Sequence, residues 1–252
     1  ADFWARGAIT NYPRKANHAL EATLLVLLLS ITLILTSLGE TVVVAGVGAG
    51  SIIIALIYGA AIWLLRRYDG STDWVPVDLP DNDKMRFSAH IDFSKVSNPA
   101  LVSQAIAACV AILVFGVFLV VLAQRIADQS GLGNSFIGVT LLAAATSLPE
   151  LTTSITAARI GAYTMAISNI FGSNLIMLVL IFPADILFRG GPILQNTSPT
   201  VGLALSFGIA VTAIYLVGLI VRRKPKVGPL GLDSILVLIT FFISLGAYYF
   251  VR

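Results

Sequence analysis

Thr146-Ser147-Leu148-Pro149-Glu150 and Ser168-Asn169-Ile170-Phe171-Gly172-Ser173-Asn174 interrupt two consecutive apolar runs, 135–158 and 162–182. Each run is long enough to cross a bilayer, which takes roughly 20 helical residues at about 1.5 Å of rise per residue. Both polar clusters fall near the middle of their runs, so they are expected near the membrane midplane. Hydroxyls, amides and a carboxyl are costly in hydrocarbon. At that depth they face a protein interior or a water-filled path and mark a functional site. Pro149 brings no N–H to the helix, which leaves carbonyls around Ala145 and Thr146 to bind a cation.

The rest of the chain reads as scaffold for these interruptions. Of its 252 residues 57% are hydrophobic and 12% charged, and the mean hydropathy is +0.92. That is the composition of a multi-spanning membrane protein. Five further apolar runs, 20–38, 41–65, 100–123, 201–221 and 232–251, bring the expected total to seven transmembrane helices in an all-α fold. The first two are expected to meet at a tight turn, Gly39-Glu40. The hydrophilic stretch 66–99 divides residues 1–65 from residues 100–252 and reads as a linker. Its cluster Asp78-Leu79-Pro80-Asp81-Asn82-Asp83 lacks the ligand spacing of an EF-hand and is taken as a solvated charge run. The single cysteine, Cys109, can form no disulfide within the chain.

Seven spans put alternate loops on opposite sides. Thirteen of the 16 Lys and Arg residues then fall on one side, leaving Arg125, Arg189 and Arg252 on the other. By the positive-inside rule the first side is cytoplasmic, with linker 66–99 there and the carboxyl end outside. Spread over short loops, these charges are topology signals and imply the lipid bilayer as partner, not nucleic acid. The cytoplasmic (inner) membrane is the expected location.

The segment from Ala1-Asp2 to Arg6-Gly7 matches Ala184-Asp185 to Arg189-Gly190 at an offset of 183 residues, and the later runs stay aligned. Matching runs lie five crossings apart and so have opposite orientation, which is the inverted repeat of many secondary transporters. Runs three to five precede Ala184, and their counterparts would precede Ala1. A ten-helix protein is therefore expected, with an amino-terminal half that completes the site.

Glu150 is the one carboxyl at mid-membrane. Together with Thr146, Ser147, Asn169, Ser173 and Asn174 it supplies the hard oxygen ligands that Na⁺ or Ca²⁺ takes. Transition metals are disfavoured by the lack of nearby His or Cys. A membrane-embedded hydrolase lacks both those residues and a second mid-membrane acid. No enzyme activity and no cofactor are expected; the cations are the substrates.

Residues 138–178 resemble the second alpha repeat of the sodium/calcium exchanger family, within the calcium:cation antiporter superfamily. The family's Gly-Thr-Ser-Leu-Pro-Glu stands here as Ala145 to Glu150, and its Gly-Asn-x-x-Gly-Ser-Asn as Ser168 to Asn174. The resemblance implies ten helices in two inverted halves. Here they would be the last two helices of the first half and five of the second, with the alpha repeat at about 134–182. It also implies ion-site roles for Thr146, Ser147, Glu150 and Ser173. Four residues after that serine the family usually has Asn or Asp, and here stands Met177, a poor ligand for a hard cation. The ion and its stoichiometry stay open.

The reading is a secondary antiporter, first of all a sodium/calcium exchanger working by alternating access. Exchange of another cation, proton coupling through Glu150, and a non-transporting membrane protein are the alternatives.

Overall fold

The computed structural model describes residues 9–11, 16–68, 98–221, 226–227 and 230–251. The linker cluster at 78–83 and the Ala1-Asp2 end of the repeat lie outside them. The membrane-crossing helices are α1 (Asn17–Leu38), α2 (Ala49–Tyr68), α3 (Asn98–Ser130), α9 (Pro199–Val221) and α10 (Leu232–Val251). Run four is broken into α4 (Asn134–Ile137), a π-helical turn (Gly138–Leu142), α5 (Ala143–Thr146) and α6 (Leu148–Arg159). Run five becomes α7 (Tyr163–Val179) and α8 (Ile181–Leu187). Among the described residues six helices are long and apolar enough to cross a membrane, and the bent pair Asn134–Thr146 and Leu148–Arg159, taken as one span, makes a seventh. The chain is an all-α integral membrane protein that crosses the bilayer several times.

Three boundaries differ from expectation. α2 starts at Ala49, not at residue 41, and no tight turn at Gly39-Glu40 joins it to α1. Strands β1 (Val43–Val44) and β2 (Val47–Gly48) intervene as a hairpin. Its turn residues Ala45 and Gly46 both have positive φ, 54° and 85°, the geometry whose twist matches paired strands. Hydropathy cannot separate such a hairpin from a helix, because Val42, Val43 and Val44 are as apolar as the residues of α2 itself. α3 continues to Ser130, past residue 123, since Gln124, Arg125 and Asp128 can reach water from a helix end. The fifth span runs on through α8 to Leu187.

A central core joins α1 to α2, α7 and α9, with α10 on the far side of α9. Leu25 and Leu28 of α1 are buried with Ile54 of α2, Phe171 and Leu175 of α7, and Leu219 of α9. Glycines let α9 approach α1: a methyl group built on Gly202 would lie 3.8 Å from Leu33, and one on Gly208 3.7 Å from Leu29. Residue numbers rise along α9 as they fall along α1, so the two run antiparallel. Phe171 meets Tyr215 edge to face at 5.7 Å, fixing α7 on α9. α3 stands outside this core. It packs near its carboxyl end, where Ala123 and Ala127 bury Ile137, while its upper turns are exposed.

The repeat is visible in the backbone. Val43 pairs with Gly48 and Val44 with Val47; Lys226 of β3 (Lys226–Val227) pairs with Gly231 of β4 (Leu230–Gly231), and Val227 with Leu230. Every one of these residues maps to its counterpart at the same offset of 183. Hairpin and adjoining helix therefore recur as a unit, and the antiparallel α1 and α9 give the two units opposite directions. Asp185, at the end of the fifth span, ties that span to the first unit. Its buried carboxylate accepts the Gly48 N–H at 2.7 Å, the Ser51 hydroxyl at 2.6 Å and the Ile193 N–H at 2.7 Å. Charge at a helix start is favourable, because the first N–H groups of α2 have no partner of their own.

Candidate functional site

The site is built on α5, α6 and α7. Pro149 occupies the first turn of α6, where its missing N–H costs nothing, and the chain bends by 41° at Ser147. Ser147 has φ −88° and ψ 0°, the sparsely populated bridge between helix and strand where many site residues sit. One turn earlier, 138–142 forms the π turn, a second departure from regular helix of the kind found at functional sites. The chain then reverses through Gly161, at φ 79°, so α6 and α7 pack as an antiparallel pair.

Asn169 crosses between them. Its Nδ2 donates to the Glu150 carbonyl at 3.3 Å, the Thr153 hydroxyl at 2.9 Å and the Ser154 hydroxyl at 3.1 Å. The amide protons thus point to α6, and what Asn169 can offer a cation is Oδ1. Sequence reasoning omitted Thr153 and Ser154. Their spacing of three and four residues from Glu150 puts them on its helix face and was the available signal.

Glu150 is half-buried, and its Oε2 is buried without a hydrogen-bond partner. Among the described residues no hydrogen bond reaches this carboxylate. A carboxylate taken from water with nothing in exchange carries a penalty that a bound cation would remove. Two of the other candidates are near in sequence but turned elsewhere. Thr146 donates to the Leu142 and Ala143 carbonyls at 3.0 and 3.1 Å, and Ser173 to the Ile170 carbonyl at 3.1 Å. The structure therefore joins Asn169 to Glu150 by hydrogen bonding, while Thr146 and Ser173 are satisfied by their own helices. Thr146, Ser147 and Asn174 are exposed and Ser173 half-exposed, so this polar face is open. Met177, one turn beyond Ser173, is 53% exposed on α7.

A family model described as sodium/calcium exchanger protein matches residues 101–251. The chain belongs to the sodium/calcium exchanger family. The sodium/potassium/calcium exchanger 2 of Mus musculus is 29% identical over 138 residues, 55% of this chain and 20% of that protein. The sodium/calcium exchanger MaX1 of Methanosarcina acetivorans is 38% identical over 80 residues, 32% of this chain and 23% of that protein. The human sodium/potassium/calcium exchanger 2 is 38% identical over 72 residues, 29% of this chain and 11% of that protein. The chain thus matches less than a quarter of these relatives' own length. No solved structure matches.

Several other polar groupings on the described helices escaped sequence reasoning, two of them around α1 and α2. One is the Asp185 tie to α2. The other is His18 with Glu21 on α1, facing Ser168 of α7, where pairs of residues 150 apart in sequence left no spacing signal.

Proposed function

We propose that this chain forms part of a secondary antiporter that exchanges Na⁺ for Ca²⁺ around Glu150, with the cations as its substrates. The reading rests on one observation: a mid-span carboxylate whose Oε2 is buried and unpartnered beside a 41° helix break. In it, Glu150 supplies charge, and Thr146, Ser147, Ser173, Asn174 and Asn169 Oδ1 supply neutral oxygens. Such a donor set suits hard cations. Competition of the two ions for shared oxygens couples their fluxes, as occupancy from one side precedes reorientation to the other. No bond is made or broken, so this is transport without enzyme chemistry or a cofactor.

The exposed face of Thr146, Ser147 and Asn174 is covered, in this reading, by a corresponding repeat from an amino-terminal half. The residues of linker 66–99 lie on the cytoplasmic side of a cytoplasmic membrane, and the carboxyl end lies outside. Na⁺-gradient-driven Ca²⁺ uptake by proteoliposomes of the full-length protein is the test. Glu150→Gln abolishes uptake if the reading holds. Uptake unchanged by that substitution overturns it.

Met177 favours keeping a second reading, exchange of a different cation or of protons through the same Glu150. A pH gradient, not a sodium gradient, would then drive uptake.

A further inference from the structure

We propose that the start of α10 is a docking surface for segment 1–7 of this chain, and that the Asp2 carboxylate accepts the Gly231 N–H, the Thr10 N–H and the Ser234 hydroxyl there. It is a second latch of the kind that Asp185 makes at the start of α2. In that first latch Asp185 holds the Gly48 N–H, the Ser51 hydroxyl and the Ile193 N–H. At the offset of 183 that relates the two hairpins, these four positions are Asp2, Gly231, Ser234 and Thr10. Every side chain the latch uses is the same in both sets. Ile193 gives only its N–H, which Thr10 supplies equally. From Asp185 to Ile193, and from Asp2 to Thr10, is eight residues.

The described residues place the receiving surface. β3 and β4 pair in the register of β1 and β2, the register that presents the Gly48 N–H to Asp185. In both units the turn that follows the carboxylate in sequence lies on the matching helix start. In the first, Leu194 lies against Gly50, and a Cβ built on that glycine would be 3.1 Å from Leu194 Cδ1. In the second, the 3₁₀ turn Ile9–Asn11 is buried, and the Thr10 hydroxyl donates to Asp233 Oδ2 at 2.7 Å. Asp233 is the counterpart of Gly50. Ile9 lines a cavity of about 270 Å³ together with Leu230, Ser234 and Leu238. Segment 1–7 thus ends within reach of Gly231 and Ser234, with Ile9 already beside them.

Charge complementarity favours the same occupant. The first N–H groups of a helix have no partner of their own and attract negative charge. The start of α2 receives two acids, Asp185 on the Gly48 N–H and Glu40 on the Gly50 N–H. α10 carries Asp233 in its first turn, and Asp2 completes the pair.

Because α1 and α9 run antiparallel, the hairpins that follow them lie at opposite ends of the bundle, and so do the two latches. In the ten-helix arrangement, Asp2 ends the counterpart of the span formed by α7 and α8. Each latch then fastens the site-bearing span of one half to the hairpin of the other. This consequence rests on the exchanger reading; the docking of segment 1–7 does not.

A double-mutant cycle on thermal unfolding of the full-length protein in detergent micelles tests the docking. Asp2→Ala is expected to lower the midpoint by about 5 °C. Ser234→Ala lowers it by about 2 °C in the parent and by less than about half of that in the Asp2→Ala background, where the shared bond is already gone. Ser51→Ala, in the other latch, keeps its full effect there. Equal losses from Ser234→Ala with and without Asp2 overturn the proposal. Disulfide trapping reads the same contact where Asp2→Ala does not fold. With the remaining cysteines replaced, Asp2→Cys and Ser234→Cys are expected to bridge, which needs Cα atoms within about 7 Å, whereas Asp2→Cys and Ser51→Cys are not. No bridge between positions 2 and 234, or an equal yield between 2 and 51, overturns the proposal. Neither readout involves a cation, so the docking and the exchange reading fail separately.

Discussion

The side-chain amide of Asn169 lies 3.3 Å from the backbone carbonyl of Glu150, and this contact fixes α7 against the first turn of α6. It is reinforced by the Thr153 and Ser154 hydroxyls, so Asn169 orients the helix pair, besides the Oδ1 that the proposed site would take from it. Asn169→Ala removes both roles. Groups that hold ligands in place typically carry about 10- to 100-fold in metal affinity, and a loss of at least about tenfold in apparent cation affinity is expected. Titration of uptake or of thermal stabilisation against cation concentration measures it. An affinity within a factor of about two of the parent would show that Asn169 only packs.

Asp185 should matter to the fold more than its position at a span end suggests. Asp185→Ala strips the acceptor from the Gly48 and Ile193 N–H groups at once, while the Ser51 hydroxyl keeps only the Gly48 carbonyl at 2.9 Å. Leaving buried donors unmet costs about 1–3 kcal/mol each, so a loss of about 3 kcal/mol in unfolding free energy is expected. Ser51→Ala costs about 1 kcal/mol alone and little in the Asp185→Ala background, because the shared bond is already gone. Unfolding of the four proteins in mixed micelles tests this, and additive losses would refute the tie.

Gly48 leaves room for the end of the Glu40 side chain. A Cβ at Gly48 would overlap the Glu40 carboxylate, whose Oε1 also accepts the Gly50 N–H. Gly48→Ala is therefore expected to destabilise by about 1 kcal/mol, since the Glu40 carboxylate must shift and loosen its bond to the Gly50 N–H. Glu40→Ala removes the obstructing group, so the double variant should recover part of the loss. If Gly48→Ala is equally harmful with and without Glu40, crowding by this carboxylate is not the cause.

These contrasts indicate what a linear sequence carries in a membrane. Seven apolar runs gave the crossings, because bilayer thickness imposes a length that hydropathy registers. The Ala-Asp and Arg-Gly match located a repeat whose register is visible at Val43, Gly48, Lys226 and Gly231. The helix break was legible through Pro149. The hairpin at 43–48 was not, since lipid-facing strands and helices draw on the same apolar residues. Nor was the direction of each hydroxyl. Thr146 and Ser173 stand in site positions by motif, yet their protons go to carbonyls one turn back, a choice made by local geometry that spacing cannot report. His18 and Ser168 meet because α1 and α7 pack, and packing partners of helices this far apart are not encoded in either helix alone.

Met177 offers the sharpest test of ion choice. It lies one helical turn beyond Ser173, so both project from a similar face of α7, and it is exposed where its neighbour is half-exposed. A thioether is soft and binds hard cations poorly, whereas a carboxylate or amide at this place would add an oxygen to the set around Glu150. Met177→Asp raises the negative charge of the site from one carboxylate to two. Divalent ions gain twice what monovalent ions do from each added unit of charge, so selectivity should move toward Ca²⁺. Met177→Asn adds the oxygen without the charge and should strengthen binding of both ions with less change in their ratio. Competition between Ca²⁺ and Na⁺ in uptake or thermal stabilisation reads out the ratio directly. A ratio unaltered by Met177→Asp would place residue 177 outside the ion's coordination sphere and leave Glu150 as the source of charge discrimination.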